Sequence, residues 1–449
     1  MAKNKASYIC TNCGYQVLKW LGSCPGCNQW NTFEQQAVTA FSKSNKQAHH
    51  VTPIEMTDLT QVELPTINRL LSGTKEWDRV TGGGIVPGSF MIITGDPGIG
   101  KSTLLLQIAH QLSQNYKIFY FSSEESLEQV KLRAERLNCI SSSLLFSDQS
   151  NLDDIVATVQ AQKPDLVIID SIQNCFLPDS QTAPGSIGQL KEAAFKLMRL
   201  AKENTIAILI SGHITKEGVI AGPKMLEHMV DAVFYLQGED KWQARILRSV
   251  KNRFGTIHEL GFFNMEESGL QEVPNINKYL LDEISYSAGS ALISYIEGSR
   301  PLLIELQALA LNSKYSTPQR IISGIDPTQV ILISAILEKY LQIKLSAHDL
   351  FFKVSGSFKI KSNAADLGIA LALLSSYFQK PLPKKSIALG EISLTGQIKP
   401  INFIGMHIGE AEKFGIEHIL LAKNQKAETA CKTSRFYNVY ELVSLFGED

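Results

Sequence analysis

Gly95-Asp-Pro-Gly-Ile-Gly-Lys-Ser-Thr103 fits the spacing G-x-x-x-x-G-K-[ST]. Glycines so placed let successive backbone N–H groups turn inward onto phosphate oxygens, and the following helix adds its positive end. The expected triphosphate-binding loop is therefore Gly95, Asp96, Pro97, Gly98, Ile99, Gly100, Lys101, Ser102 and Thr103. Lys101 is placed to reach the β- and γ-phosphates, and Ser102 to ligate Mg²⁺. Hydrolysis also needs a Mg²⁺-linked carboxylate and a group that orients or deprotonates water. Asp170 closes the apolar run DLVIID and suits the first role; an ordinary strand-end aspartate is the plainer reading. Glu124 and Glu125 follow KIFYFSS, and Glu124 is the favoured base. A carboxylate pair stabilised at a helix start is the alternative. His213 follows TIAILISG, where it would either sense the γ-phosphate or sit as a structural histidine.

A second chemistry is written near the start. Cys10-x2-Cys13 and Cys24-x2-Cys27 are two tight pairs, four of the seven cysteines. Four thiolates in two knuckles suit tetrahedral Zn²⁺, and a module so small needs the metal to fold. The flanking Lys19, Trp20 and Trp30 either contact DNA or pack the ribbon. Cys139, Cys175 and Cys431 stand apart and read as buried thiols.

These groups need elements to position them. The apolar strand Ser89–Thr94 precedes the glycine loop, and the amphipathic KSTLLLQIAHQL follows it. Lys117–Phe121, Asp165–Ile169 and Thr205–Ile210 are further buried strands, with a charged helix through Arg136. Strand–helix alternation of this kind predicts a parallel sheet covered on both faces. Strands with ligand-binding loops deliver them to the carboxyl edge of such a sheet. Ala232–Leu236, Ala244–Val250 and Ile257–Phe263 read as later strands in a more antiparallel region. Residues 34–64 are polar without sustained periodicity and read as a linker. From about 275 the pattern changes: extended segments Pro301–Leu306 and Leu350–Val354 flank helices Gln329–Tyr340 and Ala364–Tyr377. The expected organisation is a ribbon at 1–33, a linker at 34–64, a nucleotide-binding domain at 65–272 and a second α/β domain at 275–449.

Bulk properties bound the rest. The chain of 449 residues carries 43 basic and 44 acidic residues, so global charge does not announce a polyanionic partner. Any nucleic-acid surface must be a local cluster. No run of about 18 apolar residues appears and the N-terminus lacks an apolar signal core, so no membrane partner and a cytoplasmic location are expected.

The ribbon CTNCGYQVLKWLGSCPGCNQWNT, GGGIVPGSF before DPGIGKST, SSEES, AGPKMLEHMVD, VKNRFG and GEISLTGQIKP together resemble the bacterial RadA (Sms) DNA repair family. The resemblance spans nearly the whole chain. It implies an α/β fold class with a RecA-like P-loop core, an N-terminal zinc ribbon and a C-terminal Lon-peptidase-like domain. It further implies a hexameric ATP-driven motor that acts on single-stranded and branched DNA, beside a recombinase filament, and promotes branch migration. Lys251 and Arg253 would then act at the ATP site of an adjacent subunit. Read without the resemblance, they are solvated strand-end charges. DNA contact is implied for loops after the core strands: 174–190, and 214–224 with Lys216 and Lys224, together with Lys251 and Arg253. Flexible surface loops are the bland reading. A RecA-fold signalling ATPase or kinase without DNA is the alternative function.

A Lon-type peptidase would use a Ser–Lys dyad. Aligning SNAADLGIA and GEISLTGQIKPINFIG with the two dyad motifs places Ala364 and Gly405 where the serine and lysine belong. Neither can serve, and Ser362 is shifted by two residues, so no peptidase activity is expected. Lys353, Lys359, Lys361, Lys384 and Lys385 would form either a basic DNA surface or ordinary solubilising charge.

Overall fold

A computed structural model describes residues 7–11, 15–17, 19–27, 29–36, 56–58, 60, 68–180, 185–213, 224–239, 244–314 and 317–447. The first sheet is small. Strand β1 (Ser7–Cys10) pairs antiparallel with β2 (Gln16–Val17) and β3 (Phe33–Gln36). This sheet runs to Gln36, inside the segment expected as linker; residues 37–55 of that segment lie outside the described residues.

The second sheet has nine strands. Its parallel part comprises β4 (Phe90–Gly95), β5 (Ile118–Ser122), β6 (Leu144–Ser147), β7 (Leu166–Asp170), β8 (Ala207–His213) and β9 (Ala232–Glu239). An antiparallel meander continues from β9 through β10 (Ala244–Asn252), β11 (Leu260–Glu266) and β12 (Gly269–Glu272). The spatial order is β12-β11-β10-β9-β4-β8-β7-β5-β6. The central strands β4, β5 and β7 are buried along their whole length, as expected where helices cover both faces. Those helices are α1 (Lys75–Thr81), α2 (Lys101–Leu112), α3 (Leu127–Arg136), α4 (Leu152–Gln162), α5 (Ile187–Asn204) and α6 (Lys224–Met229).

Local chemistry sets these helix ends. Ser126 and Gln129 form a reciprocal capping box at the start of α3. Ser186 accepts from the Gln189 N–H and starts α5 at Ile187. The last residues of the 174–190 loop expected from sequence are therefore helical, because a serine cap precedes an amphipathic run; residues 181–184 lie outside the described residues. Thr205 ends α5 at φ 57°, so the neighbouring strand begins at Ala207 rather than at Thr205. Below β4 and β9 the core holds Trp77, fully buried and tilted against Phe234 at 5.9 Å between ring centroids. Burial of one such aromatic contributes about 2–3 kcal/mol.

The third sheet is mixed. It contains β13 (Ser290–Glu297), β14 (Arg300–Asn312), β15 (Arg320–Ser323), β16 (His348–Val354) and β17 (Ser386–Leu389). After the short hairpin β18 (Glu391–Ile392) and β19 (Ile398–Lys399) come β20 (His418–Ala422) and β21 (Lys432–Phe436). The order is β15-β16-β14-β13-β17-β20-β21. Around it lie α7 (Ile276–Asp282), α8 (Pro327–Leu341), α9 (Asp366–Phe378) and α10 (Ile404–Lys413). Asp326 caps α8 through the Thr328 N–H, with Pro327 at its first position. The core of this unit is continuous with the meander: Ile246, Leu260 and Phe262 pack in one cluster with Leu302, Ile304 and Leu306.

Candidate nucleotide site and metal centre

Strand β4 ends at Gly95 and α2 begins at Lys101, so the glycine loop joins a central strand to a helix start. Gly95 cannot be replaced without movement: a Cβ there would lie 2.2 Å from the Leu236 carbonyl oxygen of β9. Gly98 and Gly100 take φ of 75° and 112°, which bends the loop back over its own amides. Lys101 folds into the loop, its ammonium donating to the carbonyl oxygens of Gly95 at 2.9 Å and Asp96 at 3.0 Å. Burial lowers its pKa, while Asp170, Glu124 and Asp96 pull it back up. Those three carboxylates are thus gathered around one cation. Arg245, on the near end of β10, braces the loop through Nε to the Ile99 carbonyl at 3.0 Å.

Asp170 is the last residue of β7 and nearly buried. Its Oδ2 accepts from the Tyr120 hydroxyl at 2.8 Å and its Oδ1 from Ser211 Oγ at 2.5 Å. Two hydroxyls from the flanking strands β5 and β8 therefore fix its orientation. Glu124 lies at the end of β5 and its Oε1 accepts from Ser171 Oγ at 2.5 Å. Ser123 secures the same corner, donating from Oγ to the Ser171 carbonyl at 2.7 Å. Glu125 differs: its carboxylate is held by Arg133 of α3. The two adjacent glutamates face different partners, and Glu124 is the one beside Asp170. Sequence reasoning did not single out Tyr120, Ser123, Ser171, Ser211 or Arg245. The hydroxyls come from different strands and from the turns that follow them, and alternation along one strand does not reveal who meets whom.

His213 closes β8, opposite Gly95 in the parallel register; its side chain lies outside the described residues. So do Lys216 and the side chain of Lys224, the first residue of α6.

Lys251 and Arg253 are not brought to this loop. Strand β10 runs against β9, so Lys251 stands opposite Val233, which in turn stands opposite Ile92 near the start of β4. Gly95 lies about 10 Å further along β4 at the usual strand rise. A bulge between Ser249 and Lys251 bends the strand there. The Lys251 ammonium donates to the carbonyls of Glu227 at 2.5 Å and Val230 at 2.8 Å, at the end of α6. Arg253 is 61% exposed, and its guanidinium makes a long 3.4 Å contact with Asp231. Both cations occupy the edge of the sheet opposite the glycine loop.

In the ribbon, the Sγ atoms of Cys10, Cys24 and Cys27 lie within 4.8 Å of one another, with Cys10 and Cys27 3.7 Å apart. A tetrahedral site with Zn–S of ~2.3 Å has sulfur–sulfur edges of ~3.8 Å. The Gly26 N–H donates to Cys24 Sγ at 3.4 Å, as a knuckle thiolate requires. The described thiols therefore fit Zn²⁺; Cys13 lies outside the described residues. Trp20 and Trp30 are 52% and 75% exposed, so neither is a core residue of the ribbon. Cys139 and Cys175 are buried, and burial pushes their thiols up to about 11 and about 12. Cys431 is only partly buried.

In the C-terminal unit, the Ser362 hydroxyl accepts from the Ala364 N–H at 3.2 Å and so caps a short turn. A Cβ at Gly405 would meet open space. Lys359 and Lys361 line a cavity of about 590 Å³ with Arg248, His258, Tyr295 and Glu297, between the meander and the third sheet. Lys385 pairs with Glu417. Lys353 and Lys384 are exposed. No helix among the described residues is long and apolar enough to cross a membrane.

Residues 8–35 match the family described as rubredoxin metal binding domain, residues 59–219 the AAA domain, and residues 333–425 the subunit ChlI of Mg-chelatase. The chain is 43% identical over 428 residues to DNA repair protein RadA of Listeria monocytogenes, covering 95% of this chain and 93% of that protein. It is 42% identical over 426 residues to the protein of the same name from Bacillus subtilis, covering 94% and 93%. Among solved structures, the RadB recombinase overlaps 45% of this chain and 99% of its own at 22% identity, with a TM-score of 0.38.

Proposed function

The chain belongs to the family of DNA repair protein RadA, and on that premise we propose that it is an ATP-driven DNA motor promoting branch migration in recombinational repair. The observation that carries the reading is the separation of two half-sites on one sheet. The glycine loop, Asp170 and Glu124 occupy one edge, and Lys251 and Arg253 the other. A cation that neutralises charge on a transferring γ-phosphoryl must touch it. Lys251 and Arg253 lie too far along the sheet to reach the nucleotide of their own chain, which supports the role the family resemblance implies for them, at the nucleotide of a neighbouring copy. Hydrolysis is then coupled to contacts between subunits, as a ring of identical copies would need; six copies is the number the family resemblance implies.

Within that site, the loop amides hold the phosphates and Lys101 leaves its two carbonyls for the β- and γ-phosphate oxygens. Ser102 and Asp170 would hold Mg²⁺, which supplies charge neutralisation between the phosphates when bound. Glu124 takes the proton of the attacking water, and the Ser171 hydroxyl keeps its carboxylate aimed. The exposed lysines and the loops after β7 and β8 hold DNA through its phosphates rather than its bases. With Ala364 and Gly405 at the dyad positions, the C-terminal unit serves assembly and DNA contact, not peptide hydrolysis.

The test is ATP turnover with and without single-stranded DNA, paired with branch migration on a three-stranded intermediate. The expected result is turnover stimulated by DNA, movement of the branch only with ATP, and loss of both in Lys101→Ala. Turnover indifferent to DNA and an unmoved branch would favour a signalling ATPase instead.

A further inference from the structure

The segment Lys251–Gly255 is fastened to α1. Asn252 Nδ2 donates to the carbonyls of Val80 at 3.4 Å and Thr81 at 3.2 Å, the last residues of that helix. Arg69 ties the same junction, donating from Nη1 to the Gly82 carbonyl at 2.7 Å and from Nη2 to the Phe254 carbonyl at 2.8 Å. Gly82 and Gly255 meet backbone to backbone: a Cβ on Gly255 would lie 2.7 Å from Gly82 Cα.

The other end of α1 is fastened to the C-terminal unit. Glu76, 1% exposed, accepts on Oε2 from Arg300 Nη1 at 2.9 Å and from the Phe262 N–H at 3.1 Å. Arg300 opens β14, donates from Nη2 to the Pro274 carbonyl at 2.6 Å and lies over the Phe262 ring at 5.2 Å. Burial pushes the Glu76 carboxyl up, and Arg300 is the strongest influence pulling it back. An ion pair this deep is a poor way to gain stability, since apolar side chains of similar volume often do as well or better. What it supplies is direction: the carboxylate must meet the guanidinium and the Phe262 amide together. A short rigid helix is thereby held by the C-terminal unit at one end and carries the cation segment at the other.

We propose that Glu76 and Arg300 are positioning residues that act through α1 on Lys251 and Arg253, so that the C-terminal unit sets how one protomer presents its cations to the nucleotide of the next. The inference rests on the shared-site reading above and deepens it by naming what aims the cations.

Mixed assemblies test it. Lys101→Ala protomers cannot hydrolyse their own ATP but present intact cations, and Arg253→Ala protomers have an intact loop but lack the arginine. Mixing the two should restore DNA-stimulated turnover. Glu76→Met with Arg300→Met, placed in the Lys101→Ala partner, should then lower the restored turnover by roughly tenfold, within the usual range of coupling between sites. The same pair placed in the Arg253→Ala partner should change nothing, because that protomer's cations are already incomplete. Labelled-ATP binding and thermal melting should match the parent in both. If the simple mixture restores nothing, the shared site falls, and this inference with it. If turnover survives the pair in the Lys101→Ala partner, the relay alone is wrong. Equal loss from either placement would mean a general structural role and overturn the proposal. Should the methionine pair lower the melt, Asn252→Ala cuts the opposite end of α1 without entering the core, and the same placement dependence is expected.

Discussion

Two buried groups in the C-terminal unit should oppose each other as pH changes, and removing one should expose the other. Asp366 opens α9, and its carboxylate accepts from Gln329 Nε2 at 2.7 Å and the Ile392 N–H at 3.0 Å. Burial dominates over those bonds and raises its pKa from 3.8 to about 6. Between these values the folded chain holds a proton that the unfolded chain has released. Its contribution is present below pH 3.8 and lost as pH rises through 6. His407 in α10, 4% exposed and bonded through Nδ1 to Ser294 Oγ at 2.8 Å, is lowered by burial from 6.5 to about 4. Here the unfolded chain holds the extra proton, so the contribution is present above pH 6.5 and lost as pH falls through 4. Each shift corresponds to about 3 kcal/mol at 1.36 kcal/mol per unit. Near pH 5 the two slopes are of opposite sign, each about 1 kcal/mol per pH unit, and oppose each other. Asp366→Asn should therefore make stability fall by about 1 kcal/mol more than in the parent as pH is lowered from 5.5 to 4.5. Urea melts followed by circular dichroism measure this, with hydrogen exchange of Asp366–Phe378 assigning the transition. A variant whose pH slope equals the parent's would refute the reasoning.

Glu124→Gln should reduce ATP turnover by roughly 10²–10⁴-fold, while Glu125→Gln, which removes the charge paired with Arg133, should cost far less; equal losses would unseat Glu124 as base. Gly95→Ala drives a methyl into the Leu236 carbonyl, and should weaken nucleotide binding and lower stability by about 1–3 kcal/mol; isothermal titration matching the parent would contradict the loop geometry. Cys24→Ser should lose zinc by elemental analysis, and a full complement of metal would remove Cys24 from the ligand set.

The glycine loop was legible because strand, loop and helix are consecutive in the chain, so its neighbours along the sequence are also its neighbours in space. The ribbon thiols Cys10, Cys24 and Cys27 were legible from their tight spacing. Glu124 is favoured over Glu125 from sequence, but the different partners of the two, Ser171 and Arg133, lie on another element and across a strand crossover and were not legible. The placement of Lys251 and Arg253 was beyond spacing altogether, since it depends on β10 running against β9. The short strand Leu144–Ser147 and the helix Leu152–Gln162 escaped notice, one for lack of length and one because its apolar stripe is narrow. Strand β14 extends to Asn312, past the Pro301–Leu306 read from sequence, because exposed Leu309 and Leu311 blur the alternation of a half-buried strand.

The continuous core between meander and third sheet limits how this protein can be cut. A fragment ending at Glu272 would leave Ile246, Leu260 and Phe262 facing water where Leu302, Ile304 and Leu306 had covered them. Bare apolar surface of that kind invites clumping. Expression of the nucleotide-binding half alone would then report on a damaged surface rather than on an autonomous engine, and dissection by point substitution is the safer route.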